Sequence, residues 1–196
     1  MVTGVNPHLP CERQDRVISP AMTDRCGPPS PLPAFARWAL RLPPGGPVLD
    51  VAAGGGRHAR LFAERGHPVL AVDRDVASLQ LVPHPRIEPL AADLEQAPWP
   101  LPGRTFAVVV VAHYLWRPLL PTLVASVAPG GALLYETFAV GHERFGRPSN
   151  PDFLLRPGEL LDAVRGELEV RDYQHGEEGT PPHAVKQRLF AVRRRD

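Results

Sequence analysis

Apolar and polar residues are arranged along the chain in blocks that predict strands and helices in turn. The run Phe106–Ala112 is apolar at every position, which is typical of a strand buried on both faces of a parallel sheet. Between Leu120 and Val127 the apolar residues recur at the spacing of an amphipathic helix, and the Pro-Gly-Gly sequence at 129–131 is expected to end it. The pattern therefore predicts a mixed α/β fold.

The same pattern extends over most of the chain. It predicts strands over 47–51, 68–72, 87–92, 106–112 and 132–136, and helices over 34–42, 57–65, 120–127 and 157–166. Strands that alternate with helices are typical of parallel βαβ units. Two last strands, over 168–173 and 184–192, have no helix between them and are expected to pair antiparallel. We expect a Rossmann-like three-layer sandwich with a mostly parallel sheet.

The first 32 residues differ from the rest in composition. They are rich in proline and lack apolar periodicity, so we expect a flexible extension over 1–32 and one folded domain over 33–196. Met22 is a second candidate start. The stretch contains both cysteines, Cys11 and Cys26, and lacks the apolar core of a secretion signal. We expect a reduced, cytoplasmic protein.

Charge and hydropathy narrow the range of partners. With 22 basic and 21 acidic residues the net charge is +1, which gives no general attraction to nucleic acid or an anionic membrane. No apolar run approaches the roughly 18 residues of a membrane-spanning helix. The arginines at 193–195 have no aromatic residues between them and are expected to form a solvated tail. We expect a small-molecule substrate and leave the oligomeric state open.

A glycine-rich turn follows the first predicted strand. Asp50 ends that strand, three consecutive glycines occupy 54–56, and a helix is predicted to begin near Arg57. Backbone without side chains can approach a ligand closely there, and the helix N-terminus favours a carboxylate or phosphate. The turn predicts a nucleotide-like cofactor.

Acidic residues end the next two predicted strands. Asp73 lies 17 positions after Gly56 (73 − 56), close to the spacing at which an acidic residue grips ribose hydroxyls. Asp93 could accept a hydrogen bond from an adenine amino group. Helix capping by Asp73 and turn capping by Asp93 are the structural alternatives.

The glycines alone would also fit an NAD-binding Rossmann domain, because Gly54-x-Gly56-x-x-Ala59 is similar to that fingerprint. Asp50 directly before the loop argues against it, since a carboxylate repels a pyrophosphate but attracts the amino group of a methionine moiety. Asp93 and the antiparallel final strands point the same way. S-adenosylmethionine is therefore the expected cofactor.

These residues resemble class I S-adenosylmethionine-dependent methyltransferases and, among them, the tellurite-resistance group. The stretch 50–57 is similar to the first motif of the family, Asp73 to its acidic strand end, and the sequence at 92–94 to its adenine motif. The resemblance covers about 33–195 and implies a seven-stranded sheet whose last strand is antiparallel. The residues expected to hold the cofactor are Asp50, Ala52, Gly54, Gly55, Gly56, Asp73, Arg74, Asp93, Leu94 and Ala112.

One residue departs from the family pattern. Ala52 stands where the family has its first glycine. Its methyl group is tolerable if the residue keeps a negative φ.

The acceptor side is expected at the ends of the fourth and fifth strands, because ligands of such sheets bind at the carboxyl ends of strands. His113 and Glu136 are the candidate catalytic groups, although a histidine that only bonds to backbone is an open alternative. Tyr114 and Trp116 could wall the pocket or simply pack in the core.

The loop over 141–151 carries Arg144 and Asn150, which could recognise a polar acceptor, or it could be a solvated connection. No metal is expected, since His175, Glu177 and Glu178 lack a second histidine pair with ligand spacing.

The sequence therefore predicts methyl transfer to a small nucleophile such as a thiol or a chalcogen oxyanion, which needs proximity more than a dedicated base. An NAD-dependent oxidoreductase and a non-catalytic S-adenosylmethionine-binding module are the alternative hypotheses.

Overall fold

A computed structural model describes residues 33–80 and 83–195. The predicted extension over 1–32, with both cysteines and Met22, lies outside the described residues. No helix within the described ranges is long and apolar enough to cross a membrane.

Helices and strands alternate up to the last two strands. The helices are α1 Pro33–Ala39, α2 Arg57–Glu64, α3 Ala77–Gln80, α4 Leu120–Ala125 and α5 Glu159–Val164. The strands are β1 Val48–Val51, β2 Val69–Asp73, β3 Ile87–Ala91, β4 Phe106–Ala112, β5 Val127–Phe138, β6 Glu169–Glu178 and β7 Ala184–Val192. Short 3-10 helices cover Arg117–Leu119, His142–Arg144 and Pro151–Phe153.

The seven strands form one sheet in the order β3-β2-β1-β4-β5-β7-β6. The first five strands pair in parallel, and β7 pairs antiparallel with both β5 and β6. The predicted fold class is therefore confirmed, including the antiparallel last strand. Strand order reverses between β1 and β4, and the carboxyl ends of strands at such a reversal form the ligand crevice of an open α/β sheet.

Alternate side chains of the central strand β4 face two separate cores. Val108 and Val110 belong to the core that includes residues of α1, α2 and α3. Val109 and Val111 belong to the core that includes residues of α4 and α5. A strand that is buried on both faces explains why its sequence is apolar throughout.

The start of β5 differs from the prediction. The Pro-Gly-Gly sequence lies inside β5 instead of ending a helix before it, and α4 ends at Ala125. The β4–β5 register shifts between Phe106 and Val108, and a Cβ at Gly131 would lie 2.9 Å from the carbonyl oxygen of Phe106. Gly131 thus permits a close approach of two strands at an irregularity, a role that glycine has in sheets as well as in helix ends.

Two predicted boundaries were also inaccurate, and one short helix was missed. Helix α1 ends at Ala39 and not at position 42, and α5 begins at Glu159 after a left-handed Gly158 and not at position 157. Helix α3 was not predicted, because its four residues are too few to show an apolar period.

Candidate functional site

Two residues with left-handed backbone lie at the crevice where the strand order reverses. Ala52 follows β1 with φ 53°, and His113 follows β4 with φ 56°. They are the only non-glycine residues with positive φ in the described ranges. This conformation costs a side-chain-bearing residue about 1–2 kcal/mol, and such strain collects at ligand sites. The negative φ under which alanine would be tolerable without strain is therefore not the conformation of Ala52, since the chain turns sharply there between strand and loop.

The glycine loop after β1 is held by its own backbone and by β2. Gly54 and Gly56 both have positive φ, and a Cβ at Gly56 would lie 2.2 Å from a methyl group of Leu79. Gly55 has open space around it. The N–H of Gly54 donates to Oδ2 of Asp73 over 2.8 Å. Asp73 therefore fixes the loop, a role that the sequence did not reveal.

Asp50, the last polar residue of β1 before the loop, is almost fully buried, with 1% of its surface exposed. Burial raises the pKa of its carboxyl to about 7, against the lowering effects of the Ala59 N–H and the charge of Arg57. Among the described residues its Oδ2 atom has no hydrogen-bond partner. A buried oxygen in this condition is suited to a ligand that donates a hydrogen bond.

The acidic side chains at the end of β2 and after β3 already accept hydrogen bonds from backbone N–H groups. Oδ1 of Asp73 accepts from the N–H of Asp75, and Oδ1 of Asp93 accepts from the N–H groups of Glu95 and Gln96. These two bonds lower the pKa of Asp93. Each carboxylate oxygen has two lone pairs, so both aspartates keep acceptor capacity for a ligand. Turn capping and ligand binding are therefore compatible.

The remaining predicted cofactor residues also lie along this edge of the sheet. Arg74 is exposed directly after β2, Leu94 is half-buried after β3, and Ala112 is the half-buried last residue of β4.

His113 contacts charged side chains through both ring nitrogens. Nη2 of Arg57 lies 3.1 Å from Nδ1, and Nζ of Lys186 lies 3.2 Å from Nε2. Oε1 of Glu136 is 3.6 Å from Nε2. Burial is the main cause of a lowered His113 pKa, with Glu136 opposing the shift and Lys186 and Arg57 adding to it. The imidazole is therefore neutral at neutral pH.

Glu136 belongs to a buried ion network that spans three strands. It pairs with Lys186 and Arg188 on β7, and both of these also pair with Glu178 on β6. Burial alone would raise the pKa of Glu136, but the nearby His113 and the charges of Lys186 and Arg188 lower it to about 2. A carboxylate held this firmly ionised is a poor proton acceptor and a good partner for an imidazolium.

A recess opens beside His113 at the same edge. Its wall consists of His113, Tyr114, Leu115, Thr137, Phe138, Pro148 and Phe153. The Phe138 ring stacks on His113 with centroids 5.0 Å apart and on His142 with centroids 4.1 Å apart. The hydroxyl oxygen of Tyr114 is buried and has no partner among the described residues. The recess therefore has aromatic walls.

Of the residues predicted to line the substrate pocket, the structure brings Tyr114 to the recess but not Trp116, Arg144 or Asn150. Trp116 packs against the hydrophobic core and precedes a 3-10 helix. Arg144 is exposed and paired with Glu177, and the Asn150 side chain accepts from the N–H of Asp152. These contacts agree with the structural alternatives, namely core packing for Trp116 and a solvated connection for the loop that carries Arg144 and Asn150.

Three residues of the site were missed by sequence reasoning: Arg57, Phe138 and Lys186. Lys186 sits among apparently solvent-facing positions of an alternating strand, yet only 8% of it is exposed. The signal for Lys186 would have been Glu136, because a buried acidic residue in a central strand requires a buried cation nearby. No group of three or more metal-ligating side chains suited to a metal ion occurs in the described part of the chain.

Comparisons with known proteins agree with this geometry. Residues 48–131 match the family described as a methyltransferase domain. A search of curated protein sequences finds no match.

Several solved structures share the fold. An S-adenosylmethionine-dependent methyltransferase from Mesorhizobium loti superposes with a TM-score of 0.64 at 18% identity, covering 82% of this chain and 96% of that one. The structure of 1,6-didemethyltoxoflavin-N1-methyltransferase from Burkholderia thailandensis, with bound 1,6-didemethyltoxoflavin and S-adenosylhomocysteine, superposes with a TM-score of 0.60 at 21% identity, covering 83% of this chain and 77% of that one. TehB from Haemophilus influenzae superposes with a TM-score of 0.60 at 17% identity, covering 83% of this chain and 62% of that one.

The predicted class is confirmed by the family match and the fold together. Residues 48–131 match a methyltransferase domain, and the sheet has the same Rossmann-like fold as solved S-adenosylmethionine-dependent methyltransferases. In dinucleotide-binding sheets the parallel order is 3-2-1-4-5-6. Here the antiparallel β7 stands between β5 and β6, so the strand order differs from that of the dinucleotide-binding sheet.

Proposed function

We propose that this protein binds S-adenosylmethionine at the carboxyl ends of β1, β2 and β3 and transfers its methyl group to a small molecule in the recess beside His113. The observation that carries the proposal is the buried Asp50 carboxyl beside the glycine loop, with an oxygen that lacks a partner among the described residues.

The donor groups of S-adenosylmethionine fit the acceptors along this edge. Its ammonium group suits the free oxygen of Asp50, and binding a cation there would compensate the burial of that carboxylate. Its carboxylate suits the N-terminus of α2. The remaining lone pairs of Asp73 and Asp93 suit the ribose hydroxyls and the adenine amino group.

The chain's own contribution to methyl transfer is positioning and removal of a proton. The acceptor must lie in line with the methyl group and the sulfur, and the aromatic recess can exclude water from that line. The acceptor's lone pair forms the new bond to the methyl carbon as the bond from carbon to sulfur breaks. Where the acceptor carries a proton, neutral His113 is the group placed to receive it, and Glu136 stabilises the resulting imidazolium.

The proposed acceptors are small nucleophiles, namely a thiol, a chalcogen oxyanion or a group of similar reactivity. A thiolate or oxyanion needs no base, whereas a protonated nucleophile needs His113.

Isothermal titration tests the cofactor, with S-adenosylmethionine, S-adenosylhomocysteine and NADH added separately to the folded protein. We expect binding of the first two and none of NADH. Binding of NADH alone, or no binding of either sulfur compound, would refute the proposal. Transfer of a labelled methyl group to a panel of thiols, amines and oxyanions then separates an enzyme from a module that only binds the cofactor.

A further inference from the structure

One wall of the recess has no support from the hydrophobic cores. Phe153 lines the recess, is half-buried, and is not among the side chains that pack against either core of the described residues. It is the last residue of the 3-10 helix Pro151–Phe153, a single turn whose own hydrogen bonds are weak. The next anchored position is Leu155, whose side chain lies in a core and whose N–H donates to the carbonyl oxygen of Phe138. The position of the Phe153 ring therefore depends on the contacts of the backbone around it.

Arg117 supplies such contacts from the segment that follows β4. Its Nη1 atom donates to the carbonyl oxygen of Asp152 over 2.6 Å, and its Nη2 atom donates to that of Leu154 over 2.8 Å. These two carbonyls stand on either side of Phe153 in the chain. Arg117 comes two positions after Leu115, so it joins two separate segments that line the recess.

The guanidinium of Arg117 is itself held by a carboxylate. Its Nε and Nη2 atoms donate to Oε1 and Oε2 of Glu159 over 2.7 and 3.0 Å, a paired geometry that a lysine ammonium cannot form. Oε2 of Glu159 also accepts from the N–H of Arg156 over 2.8 Å. Burial alone would raise the pKa of Glu159, but these bonds lower it, so the carboxylate is ionised at neutral pH. Only 27% of the Arg117 side chain and 16% of the Glu159 side chain are exposed, which distinguishes the pair from a solvated surface pair.

We propose that Arg117 is a positioning residue for the methyl acceptor: by holding the carbonyls on either side of Phe153, it fixes the aromatic wall that limits the size of the acceptor. This inference rests on the proposed function, because it takes the recess as the acceptor site. Arg117 acts through Phe153, and its bonds go to positions 152, 154 and 159 and not to the glycine loop. Its loss should therefore change the choice of acceptor and leave cofactor binding intact.

Arg193 is a matched control, because it makes the same kinds of contact far from the recess. Its Nε and Nη2 atoms donate to the carbonyl oxygens of Val127 and Val124, and its Nη1 atom donates to the carboxylate of Glu167. Its side chain is about as exposed as that of Arg117. Val127 begins β5, whereas the recess lies at the other end of that strand. Loss of the Arg193 contacts should therefore lower stability without affecting the recess.

Fluorine NMR of the full chain labelled with 4-fluorophenylalanine tests the placement of the wall. Phe153→Leu identifies the Phe153 signal among those of the seven phenylalanines. Arg117→Lys keeps the charge but loses the planar fork, so we expect the Phe153 signal to move toward that of free 4-fluorophenylalanine. Arg193→Lys should leave the signal in place. A Phe153 signal that does not move in Arg117→Lys, or that moves equally in both variants, would overturn the inference.

Transfer of a labelled methyl group from S-adenosylmethionine to ethanethiol and to 2-phenylethanethiol tests the consequence for the acceptor. The two thiols share the reacting group and differ by a phenyl ring, so a change in the ratio of their kcat/KM values between variants reports the shape of the recess. We expect Arg117→Lys to shift this ratio toward the larger thiol by about tenfold. Phe153→Leu removes part of the wall itself and should shift the ratio in the same direction, whereas Arg193→Lys should keep the ratio of the parent protein.

The remaining outcomes separate this inference from the proposed function. An unchanged ratio in Arg117→Lys or in Phe153→Leu would overturn the inference. S-adenosylhomocysteine should bind the parent and all three variants with the same affinity in calorimetry, and a loss of affinity confined to Arg117→Lys would also overturn it. If the parent binds S-adenosylhomocysteine but methylates neither thiol, the inference is overturned and the cofactor assignment stands. Failure of the parent to bind S-adenosylhomocysteine would refute the proposed function itself.

Discussion

Replacing Asp50 with asparagine should stabilise the folded protein relative to the parent protein in mild alkali. The same change should lower the affinity for S-adenosylmethionine. The Asp50 carboxyl has its pKa raised to about 7 by burial, whereas its unfolded value is close to 3.8. Between these two values the folded state holds a proton that the unfolded state releases. Stability from this group is therefore full below about pH 4 and is lost as the pH rises toward 7.

The size of the effect follows from the same two pKa values. With a folded pKa of about 7, the contribution of Asp50 to the free energy of unfolding falls by about 2–3 kcal/mol between pH 5 and pH 8. Asparagine cannot ionise, so the variant lacks this fall. The difference in stability between Asp50→Asn and the parent protein should accordingly shift by that amount in favour of the variant.

Urea unfolding of both proteins at pH 5 and pH 8 measures this shift, and all other titrating groups cancel in the comparison. Asp162→Asn is the control, because Asp162 is an exposed side chain that pairs with Arg165 at the surface. Its stability relative to the parent should hardly depend on pH. A stability difference for Asp50→Asn that is the same at both pH values would refute the argument from burial, whatever its sign.

Three further changes test other parts of the site. Ala52→Gly should raise the free energy of unfolding by up to about 1 kcal/mol, because it relieves the strain of the left-handed backbone. The same change at exposed, helical Ala125 is the control and should lower the free energy of unfolding. Equal effects of the two changes in urea unfolding would contradict the strain at Ala52. Glu136→Gln should lower the free energy of unfolding at pH 7 by about 3 kcal/mol, because it removes the charge that pairs with buried Lys186 and with Arg188. The contribution of Glu136 is present above pH 4.5 and lost as the pH falls toward 2, so melting curves that show the same deficit at low pH would exclude this origin. Asp73→Ala should weaken S-adenosylhomocysteine binding by about 1–3 kcal/mol in calorimetry, and an unchanged affinity would remove Asp73 from the site.

The sequence predicted the architecture well where the apolar pattern of a helix or strand by itself shows which of its faces are buried. Strand β4 is apolar because both its faces are covered, and that pattern is visible without knowing what covers it. The start of β5 could not be predicted in the same way. Gly131 is required by the carbonyl of Phe106 on another strand, so its role depends on pairing and not on neighbours in the chain.

In the candidate site, too, residues that are neighbours in the chain could be predicted, whereas residues brought together by strand pairing could not. Asp50 and the glycines form one continuous segment, and their spacing alone indicated a cofactor loop. Lys186 reaches Glu136 only because β7 pairs with β5, and an alternating strand gives no sign that one of its polar positions is buried. The contact of Arg57 with His113 likewise joins positions 56 residues apart.

The place of β7 in the sheet has a consequence during synthesis on the ribosome. Strand β6 is made before β7 but joins the sheet only through it, and Glu136 meets its cationic partners only when residues 184–192 have emerged. Until then the edge of β5 is unpaired, and the carboxylate of Glu136, which is buried in the folded protein, is exposed there. A chain cut short before β7 would therefore present an unpaired strand edge prone to aggregation, and not a weaker enzyme.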